Sequence, residues 1–354
     1  MAQQIKLLIV DDSSLVRKIL KSIFANDLQV VITDEAEDGL KAMEKLKAKQ
    51  FDIVLLDYEM PNMNGLQVLK QLKTDPAIPV KPPVLVFSSL TQKGSKETVE
   101  CLLAGAKDYV PKPSRSLGGD GTLDQIKNLL REKIIQIVDS AKATASAAPI
   151  SPQKLSSDKT KLKDPGLLVI GSSTGGPAAL EEVLRSFPAN FPFPILITQH
   201  MPENFTTILA QTLSSRCKIA VKEVQGPTTI EKGVAYLAPG GKHMVMRDVN
   251  LIDVEISEAV NFCIPSVDVT FKSVAKIYKK GVISVMLTGM GKDGKDGVAA
   301  LKQSLDCFSI AQDQASSVVW SMPKAVFEAG LSDRLLSLNK IAGCVLDVGC
   351  VVAR

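Results

Sequence analysis

The sequence has 354 residues, of which 45% are hydrophobic and 5% aromatic, and its 42 Lys and Arg residues nearly balance 38 Asp and Glu. This length predicts two domains that each bury a core, and the composition is typical of α/β proteins built on Val, Ile and Leu. The net charge of +4 is slight, and residues 122–165 carry eight basic against five acidic residues, which argues against a nucleic-acid-binding face on a folded domain.

The six cysteines are scattered through the chain without a CxxC pair. The sequence shows no secretion signal and no apolar run approaching the roughly eighteen residues that a membrane span needs. We therefore expect reduced thiols in a cytoplasmic protein that is not inserted in a membrane.

Residues 1–121 alternate short β-branched runs with stretches of helical spacing, such as 14–24 and 40–47. Five strands are predicted, and each is followed by a helical pattern. This alternation predicts a doubly wound, flavodoxin-like parallel sheet, in which functional groups lie on loops after the strands. The predicted strands are 5–10, 29–33, 52–57, 83–88 and 107–110.

An amphipathic helix is predicted from Leu123 to about Ala143, and residues 144–165, rich in Ala, Ser, Lys and Pro, predict a flexible linker. The domain limits that we expect are 1–121 for the first domain, 122–165 for the connector and linker, and 166–354 for the second domain.

A second parallel-sheet α/β domain is predicted from Gly166 onward. The patterns predict four strands, a hairpin near 244–257, and helices that start near Pro177, Pro202, Val267 and Asp293. The four strands are 167–171, 194–199, 282–287 and 308–311.

Acidic side chains follow two strands of the first domain, namely Asp11 and Asp12 after one and Asp57 after the other. Crowded carboxylates repel one another, and a hard, oxygen-preferring ion such as Mg²⁺ would compensate their charge. Asp57 is the candidate nucleophile toward a phosphoryl group. Ser88 and Lys112, also at strand ends, are candidates to contact that group.

In the second domain, residues 171–175 match the G-x-S-x-G pattern of a strand-to-helix turn. Such a turn can expose a serine nucleophile, or it can cradle the phosphates of a dinucleotide. A serine nucleophile needs a base and a group that orients the base. His200 and Asp293 follow two other predicted strands, so all three side chains are expected at one end of the sheet. The chain order Ser, His, Asp disfavours the α/β-hydrolase fold.

The first domain resembles the receiver domain of two-component response regulators. The resemblance implies that a histidine kinase phosphorylates Asp57, and that Asp12, Asp57 and the backbone carbonyl of Glu59 bind Mg²⁺ with support from Asp11. It also implies that Tyr109 is the aromatic switch residue. The matching positions are Asp11-Asp12, Asp57, Met60-Pro61, Gly65, Ser88 and Lys112-Pro113.

The second domain resembles the catalytic domain of chemotaxis protein-glutamate methylesterases, the CheB family, which also carry an N-terminal receiver domain. The resemblance implies that Ser173 is the nucleophile, His200 the base and Asp293 its orienting partner, in a serine esterase that needs no cofactor for its reaction. The matching segments are 171–176, 198–202, 238–241, 265–268 and 287–294.

The implied reaction is hydrolysis of glutamate γ-methyl esters on chemotaxis receptors, together with deamidation of receptor glutamines, for sensory adaptation. Phosphorylation of the receiver is expected to relieve its obstruction of the esterase cleft. Ser172 stands where the family often has alanine, so it remains an alternative nucleophile. The oxyanion donors are expected near Thr174 and Gly175 or in the Met290-Gly291 loop.

Two other functions remain open from the sequence. The second domain could be a non-catalytic receptor adaptor, or an oxidoreductase that binds a dinucleotide. The oxidoreductase alternative requires an acidic ribose partner about twenty residues after the glycine turn, and residues 187–193 contain none. His243 is expected either to contact substrate or to be a solvated loop residue.

Overall fold

The structure is a computed structural model that describes residues 4–89, 91–112, 120–146 and 162–349. The chain divides into two compact units between Ala145 and Ser146. Residues 147–161 of the expected linker lie outside the described residues, as does Pro113. Within the described ranges, none of the helices has both the length and the apolar character that crossing a membrane requires.

The first unit contains a five-stranded, all-parallel sheet, which confirms the doubly wound prediction. Its strand order is β2-β1-β3-β4-β5. The strands consist largely of buried Val, Ile and Leu because helices cover both faces of such a sheet. They are β1 (Ile5–Val10), β2 (Val30–Ala36), β3 (Ile53–Leu56), β4 (Val84–Ser88) and β5 (Asp108–Pro111).

Polar caps start four of the helices in this unit: the side chains of Ser13, Asp38, Asn64 and Thr91 each accept a hydrogen bond from a backbone N–H of the first turn. The predicted connector helix is observed and is slightly longer than expected. The helices are α1 (Ser14–Phe24), α2 (Gly39–Ala48), α3 (Gly65–Thr74), α4 (Gln92–Ala104) and α5 (Asp120–Ser146).

The second unit is built on a seven-stranded parallel sheet of order β15-β14-β13-β6-β7-β10-β8. A separate three-stranded antiparallel sheet, of order β11-β12-β9, includes the predicted hairpin as β11 and β12. The strands are β6 (Pro165–Ser172), β7 (Ile195–Gln199), β8 (Ala220–Glu223), β9 (Thr228–Thr229), β10 (Val234–Leu237), β11 (His243–Asp248), β12 (Leu251–Glu255), β13 (Gly281–Met286), β14 (Cys307–Gln312) and β15 (Arg334–Leu336).

Two of the predicted helix starts agree with the structure to within one residue, at Gly176 and Val267. The other two are later than expected, so that Asp293 lies in a loop before its helix rather than inside it. The helices are α6 (Gly176–Arg185), α7 (Phe205–Arg216), α8 (Val267–Ile277), α9 (Lys295–Ser304), α10 (Ser321–Glu328) and α11 (Leu338–Gly349).

Three strands of the large sheet were not predicted, namely β8, β10 and β15. Each has only three or four residues, and β8 and β15 are the two edges of the sheet. Segments this short show too few alternations to reveal a strand period, and edge strands lack the apolar runs of central ones.

The order of the strands creates a crevice in each unit. In the second unit β6 lies between β7 and β13, so the chain moves to one side after β6 and later returns to the other side. In the first unit β1 lies between β2 and β3. Loops after the strands on the two sides of such a switch point face the same crevice, which is where ligands bind in open α/β sheets.

Candidate functional site

The acid pocket of the first unit forms at the carboxyl ends of β1 and β3. One carboxylate oxygen from each of Asp11, Asp12 and Asp57 lies within 4.8 Å of the other two. Asp11 and Asp57 are buried, whereas Asp12 is exposed. Lys112, just beyond β5, reaches both buried acids, with its Nζ 2.8 Å from Asp11 Oδ2 and 2.7 Å from Asp57 Oδ2.

Burial dominates the electrostatics of Asp57 and raises the pKa of its carboxyl to about 6, although the ammonium of Lys112 offsets part of that shift and the charge of Asp11 adds to it. Burial acts to lower the pKa of Lys112, but the two carboxylates outweigh it and hold the pKa above its ordinary value. The pocket therefore contains more negative charge than one lysine compensates.

An all-oxygen set of three carboxylates fits a hard divalent cation such as Mg²⁺, because this ion prefers oxygen ligands and keeps several waters. The expected fourth contributor, Glu59, lies two residues beyond Asp57, and its side chain pairs with Lys93 of α4. That orientation turns the Glu59 side chain toward α4.

The two remaining expected receiver residues are buried. The hydroxyl of Ser88 donates to the carbonyl oxygen of Gly94, at 3.3 Å, and so is directed toward α4. The ring of Tyr109 is 9% exposed, with Lys133 Nζ 5.4 Å from its centroid.

The glycine turn after β6 separates the two candidate serines. Ser172 is fully buried, and its hydroxyl donates to Gln199 Oε1 at 2.7 Å. Ser173 is partly exposed on the loop before α6, and its backbone N–H donates to Thr288 O at 3.0 Å. The turn depends on Gly175, whose φ of 78° is in the left-handed region. The geometry thus presents Ser173, and not Ser172, to the crevice.

Gln199 at the end of β7 joins the loops that carry Ser173 and His200. Its side-chain amide donates to Ser173 O at 2.9 Å and to His200 O at 3.1 Å. Gln199 has no role predicted from the sequence, although it directly precedes His200. The signal that could have identified it is a polar residue at the end of a predicted strand, directly before the predicted base.

His200 and Asp293 are in direct contact, as expected. His200 Nε2 lies 2.8 Å from Asp293 Oδ2, and since an ionised carboxylate only accepts hydrogen bonds, Nε2 is the donor. The other ring nitrogen, Nδ1, lies 3.5 Å from the sulfur of Cys263. Over the described ranges of the chain, no hydrogen bond joins the Ser173 hydroxyl to this imidazole.

Asp293 is 2% exposed, and four further groups donate to its carboxylate. Burial acts to raise its pKa, but the hydrogen bond and the charge of His200, together with the other donors, lower the pKa to about 2. Asp293 is therefore a fixed anion. The four donors are Asn261 Nδ2 at 2.9 Å, Ser266 Oγ at 2.8 Å, Val267 N at 2.6 Å and Asp268 N at 3.3 Å.

The anion changes the titration of its partner. Burial acts to lower the pKa of His200, but the hydrogen bond to Asp293, then the contact with Cys263, outweigh it and raise the pKa to about 9. Both shifts have the directions expected of an ion pair.

His243 is neither in solvent nor in contact with the crevice, so both expectations for it were wrong. It is 0% exposed at the start of β11. Its Nδ1 accepts a hydrogen bond from the Ser266 N–H at 3.0 Å, and its Nε2 donates to Glu258 O at 3.1 Å. The hairpin packs on α8, which buries the imidazole and makes it a support for the segment that holds Asp293.

The turn that contains Asn261 and Cys263 was also not predicted from the sequence. Backbone hydrogen bonds in both directions between Val260 and Cys263 close this turn, and its two central residues, Asn261 and Phe262, have φ values of 53° and 62°. The turn directs the Asn261 amide toward Asp293, whereas Phe262 is fully exposed. Without a glycine in this turn, the sequence contained no strong turn signal.

Family comparisons agree with this geometry in both units. Residues 168–345 match the family model described as CheB methylesterase, and residues 7–117 match the model described as response regulator receiver domain. These matches confirm both resemblances seen in the sequence.

Known proteins resemble the chain over nearly its whole length. A protein-glutamate methylesterase/protein-glutamine glutaminase of Trichodesmium erythraeum is 38% identical over 345 residues, covering 95% of this chain and 97% of that protein. One of Vibrio parahaemolyticus is 39% identical over 373 residues, covering 98% and 99%.

The crystal structure of the Thermotoga maritima CheB methylesterase catalytic domain is similar to the second unit. It has 39% sequence identity and a TM-score of 0.50, and it covers 52% of this chain and 98% of that chain. The comparisons leave no support for the dinucleotide-binding alternative and confirm the expected class of enzyme, an ester hydrolase. The chain belongs to the CheB methylesterase family and carries a response regulator receiver domain ahead of its methylesterase domain.

Proposed function

We propose that this protein hydrolyses glutamate γ-methyl esters, and deamidates glutamines, on chemotaxis receptors by a Ser-His-Asp mechanism that phosphorylation regulates. The observation that carries the proposal is the His200–Asp293 pair, which Gln199 joins to the loop of the partly exposed Ser173 at the switch point of the second sheet. In this proposal residues 1–121 form the regulatory domain, 122–165 the connector and 166–354 the catalytic domain.

Ser173 is the nucleophile in this mechanism. Its Oγ forms a bond to the ester carbonyl carbon, and its proton passes to His200. Because Nε2 of His200 is held by Asp293, Nδ1 is the nitrogen that accepts the proton. Asp293 stays ionised and stabilises the imidazolium that results.

The second half of the reaction restores the enzyme. The proton on Nδ1 moves to the leaving oxygen, so that the carbonyl carbon loses methanol and remains bonded to Ser173 Oγ. Water then attacks this acyl-enzyme with His200 as the base, which frees the glutamate and the serine hydroxyl. With a glutamine side chain the leaving group is ammonia, and the steps are otherwise the same.

The substrate class comes from the relatives, whose names describe activity on protein glutamate esters and protein glutamine. The partly exposed nucleophile suits a side chain presented by another protein, because the ester has only to reach the loop after β6. That chemotaxis receptors are the substrate, and that the protein is cytoplasmic, are predictions.

The receiver supplies the regulation in this proposal. A histidine kinase is the phosphodonor, and the Asp57 carboxylate accepts the phosphoryl group. Asp11, Asp12, Asp57 and the Glu59 carbonyl would hold Mg²⁺, which supplies positive charge toward phosphate oxygens. Lys112, already bonded to Asp11 and Asp57, would pair with the phosphoryl group. Ser88 and Tyr109 are the proposed phosphoryl-binding and switch residues.

Methanol release from methylated receptor membranes tests the esterase, with neighbouring serines as matched variants. Ser173→Ala should abolish release. Ser172→Ala removes only an internal hydrogen bond to Gln199, which costs about 1 kcal/mol of stability, and should keep release. Methanol release by Ser173→Ala at the wild-type rate would exclude Ser173 as the nucleophile, and no release by the wild type would favour the adaptor alternative.

Regulation is tested separately with acetyl phosphate as a small phosphodonor. The wild type should be activated, whereas Asp57→Asn should keep its basal rate without activation. Activation of Asp57→Asn to the wild-type level would exclude Asp57 as the site of phosphorylation.

A further inference from the structure

The side of His200 that faces away from Asp293 has a thiol beside it. Cys263 Sγ lies 3.5 Å from Nδ1 and 3.4 Å from the carbonyl oxygen of Asn261, and its side chain is partly exposed. Ligating atoms of Cys263, His200 and Asp293 all lie within 4.8 Å of one another. The esterase mechanism uses His200 and Asp293 but has no role for the thiol.

The spacing of the sulfur and the nitrogen matches that of two ligands on one metal ion. With Zn–N bonds of about 2.0–2.1 Å and Zn–S bonds of about 2.3 Å at a tetrahedral angle, the two ligand atoms are separated by about 3.5 Å. Cys263 Sγ and His200 Nδ1 already have this separation. The distance between the two atoms therefore suits an ion bonded to both of them.

The environment of His200 also resembles that of a metal-binding imidazole. Histidine ligands usually donate their second ring N–H to a carboxylate, which fixes the ring and makes the ligating nitrogen more basic. Asp293 makes this contact at Nε2, and its own donors, Ser266 and Val267 among them, hold it in place. Asp293 contacts Nε2, whereas the ion would bind Nδ1 on the other side of the ring. Asp293 is therefore not a ligand of that ion, and its carboxylate orients the imidazole that is.

We propose that His200 Nδ1 and Cys263 Sγ form a binding site for Zn²⁺, and that the bound ion inhibits the esterase. Binding releases two protons to solvent, one from the thiol and one from Nδ1 of the imidazolium, and the ion then occupies the lone pair of Nδ1. No electron transfer takes place. The ion therefore blocks the nitrogen that would accept the Ser173 proton.

The ligand types of His200 and Cys263 determine which metal ion the site prefers. Thiolate and imidazole favour Zn²⁺, whereas Mg²⁺ prefers oxygen ligands of the kind found in the acid pocket. Two protein ligands are fewer than the three or four of catalytic and structural zinc sites. We therefore expect reversible, micromolar binding with water in the remaining positions.

Metal binding is tested on the full chain with Co²⁺ as a spectroscopic probe for Zn²⁺, by following the near-ultraviolet absorption that a thiolate–cobalt bond produces. The wild type should show this band, and added Zn²⁺ should remove it. Cys263→Ser should not show it. Cys217→Ser is the matched control, because Cys217 is also partly exposed but belongs to neither group of candidate metal ligands among the residues that the structure describes. Burial also raises the pKa of its thiol to about 11. An equal band in Cys263→Ser would overturn the proposal.

Inhibition is measured as methanol release against Zn²⁺ concentration, with each variant compared with its own metal-free rate. The half-inhibiting concentration should rise more than about tenfold in Cys263→Ser, in line with the size of ligand-environment effects on metal affinity, and should not change in Cys217→Ser. Equal inhibition of both variants would overturn the inhibitory role. The inhibition experiment rests on the proposed esterase activity, whereas the cobalt experiment does not. If no variant releases methanol, the esterase proposal fails and the band still decides whether the site exists.

Discussion

Hydrolysis should accelerate as the pH rises from 7 to 9, because His200 must be neutral before it can accept the Ser173 proton. Burial acts to lower the pKa of His200, but its bond to Asp293 and its contact with Cys263 raise the pKa to about 9. In the free enzyme the neutral fraction is then about 1% at pH 7 and about 50% at pH 9. The value of kcat/KM, which reports on the free enzyme, should rise about fiftyfold over this range.

Asp293 does not add a second step to this profile. Its pKa of about 2 keeps it ionised at every pH of the experiment. The profile should therefore rise with unit slope and level off above pH 9. A bell shape in this range would require a second essential group.

The assay is the initial rate of methanol release at low substrate concentration, with ester lost in enzyme-free samples subtracted at each pH. The two histidines of the chain also allow direct titration by NMR. His200→Gln assigns the signals, and the His200 signal should titrate with the same midpoint as the rate. A rate that is already level at pH 7, or a midpoint near the ordinary 6.5 of histidine, would refute the ion-pair account.

Three substitutions test the supports of the site. Phe262→Gly should stabilise the protein by about 1 kcal/mol, measured by urea unfolding, because the ring is fully exposed and the φ of residue 262, 62°, favours glycine. A loss of stability would show that the ring has a packing role. Gly240→Ala should cost at least about 2 kcal/mol, since the new Cβ would lie 2.1 Å from the backbone carbonyl carbon of Pro202; unchanged stability would mean that this backbone moves freely. His243→Leu should cost roughly 2 kcal/mol by leaving the buried Ser266 N–H without its acceptor, and kcat should fall with little change in KM; an unchanged kcat would rule out a positioning role.

The candidate functional residues at the carboxyl ends of the strands could be predicted in both sheets, because parallel strands end at the same edge of a sheet. Asp11 and His200 each follow a predicted strand directly and Asp57 ends one, so that their places were fixed once the strands were identified. Asp293 follows β13 through a longer loop, and its position depended on the same reasoning. Of the strands that were missed, β8 and β15 form the two edges of the second sheet, whereas β10 lies next to β7.

The residues that contact and support these side chains could not be predicted, because they come from segments that are distant in sequence. Cys263 is 63 residues from His200, and His243 is 23 residues from the Ser266 that it supports. No helical or strand period connects such pairs. His243 in particular follows a glycine turn, which suggested an exposed loop, whereas its burial is decided by the packing of β11 on α8.

The segment 261–268 explains how a carboxylate can remain charged at 2% exposure. Moving an ion out of water costs several kcal/mol, and a single imidazole partner does not fully offset that cost. Asn261, Ser266 and the backbone N–H groups of Val267 and Asp268 supply the remaining donors, and they all belong to this one segment. The same segment places Cys263 against the free nitrogen of His200. Because one stretch of chain both stabilises the anion that raises the pKa of His200 and supplies the thiol beside it, the basicity of His200 and its affinity for a soft metal ion depend on the same local fold. Substitutions that loosen 261–268 should weaken both together.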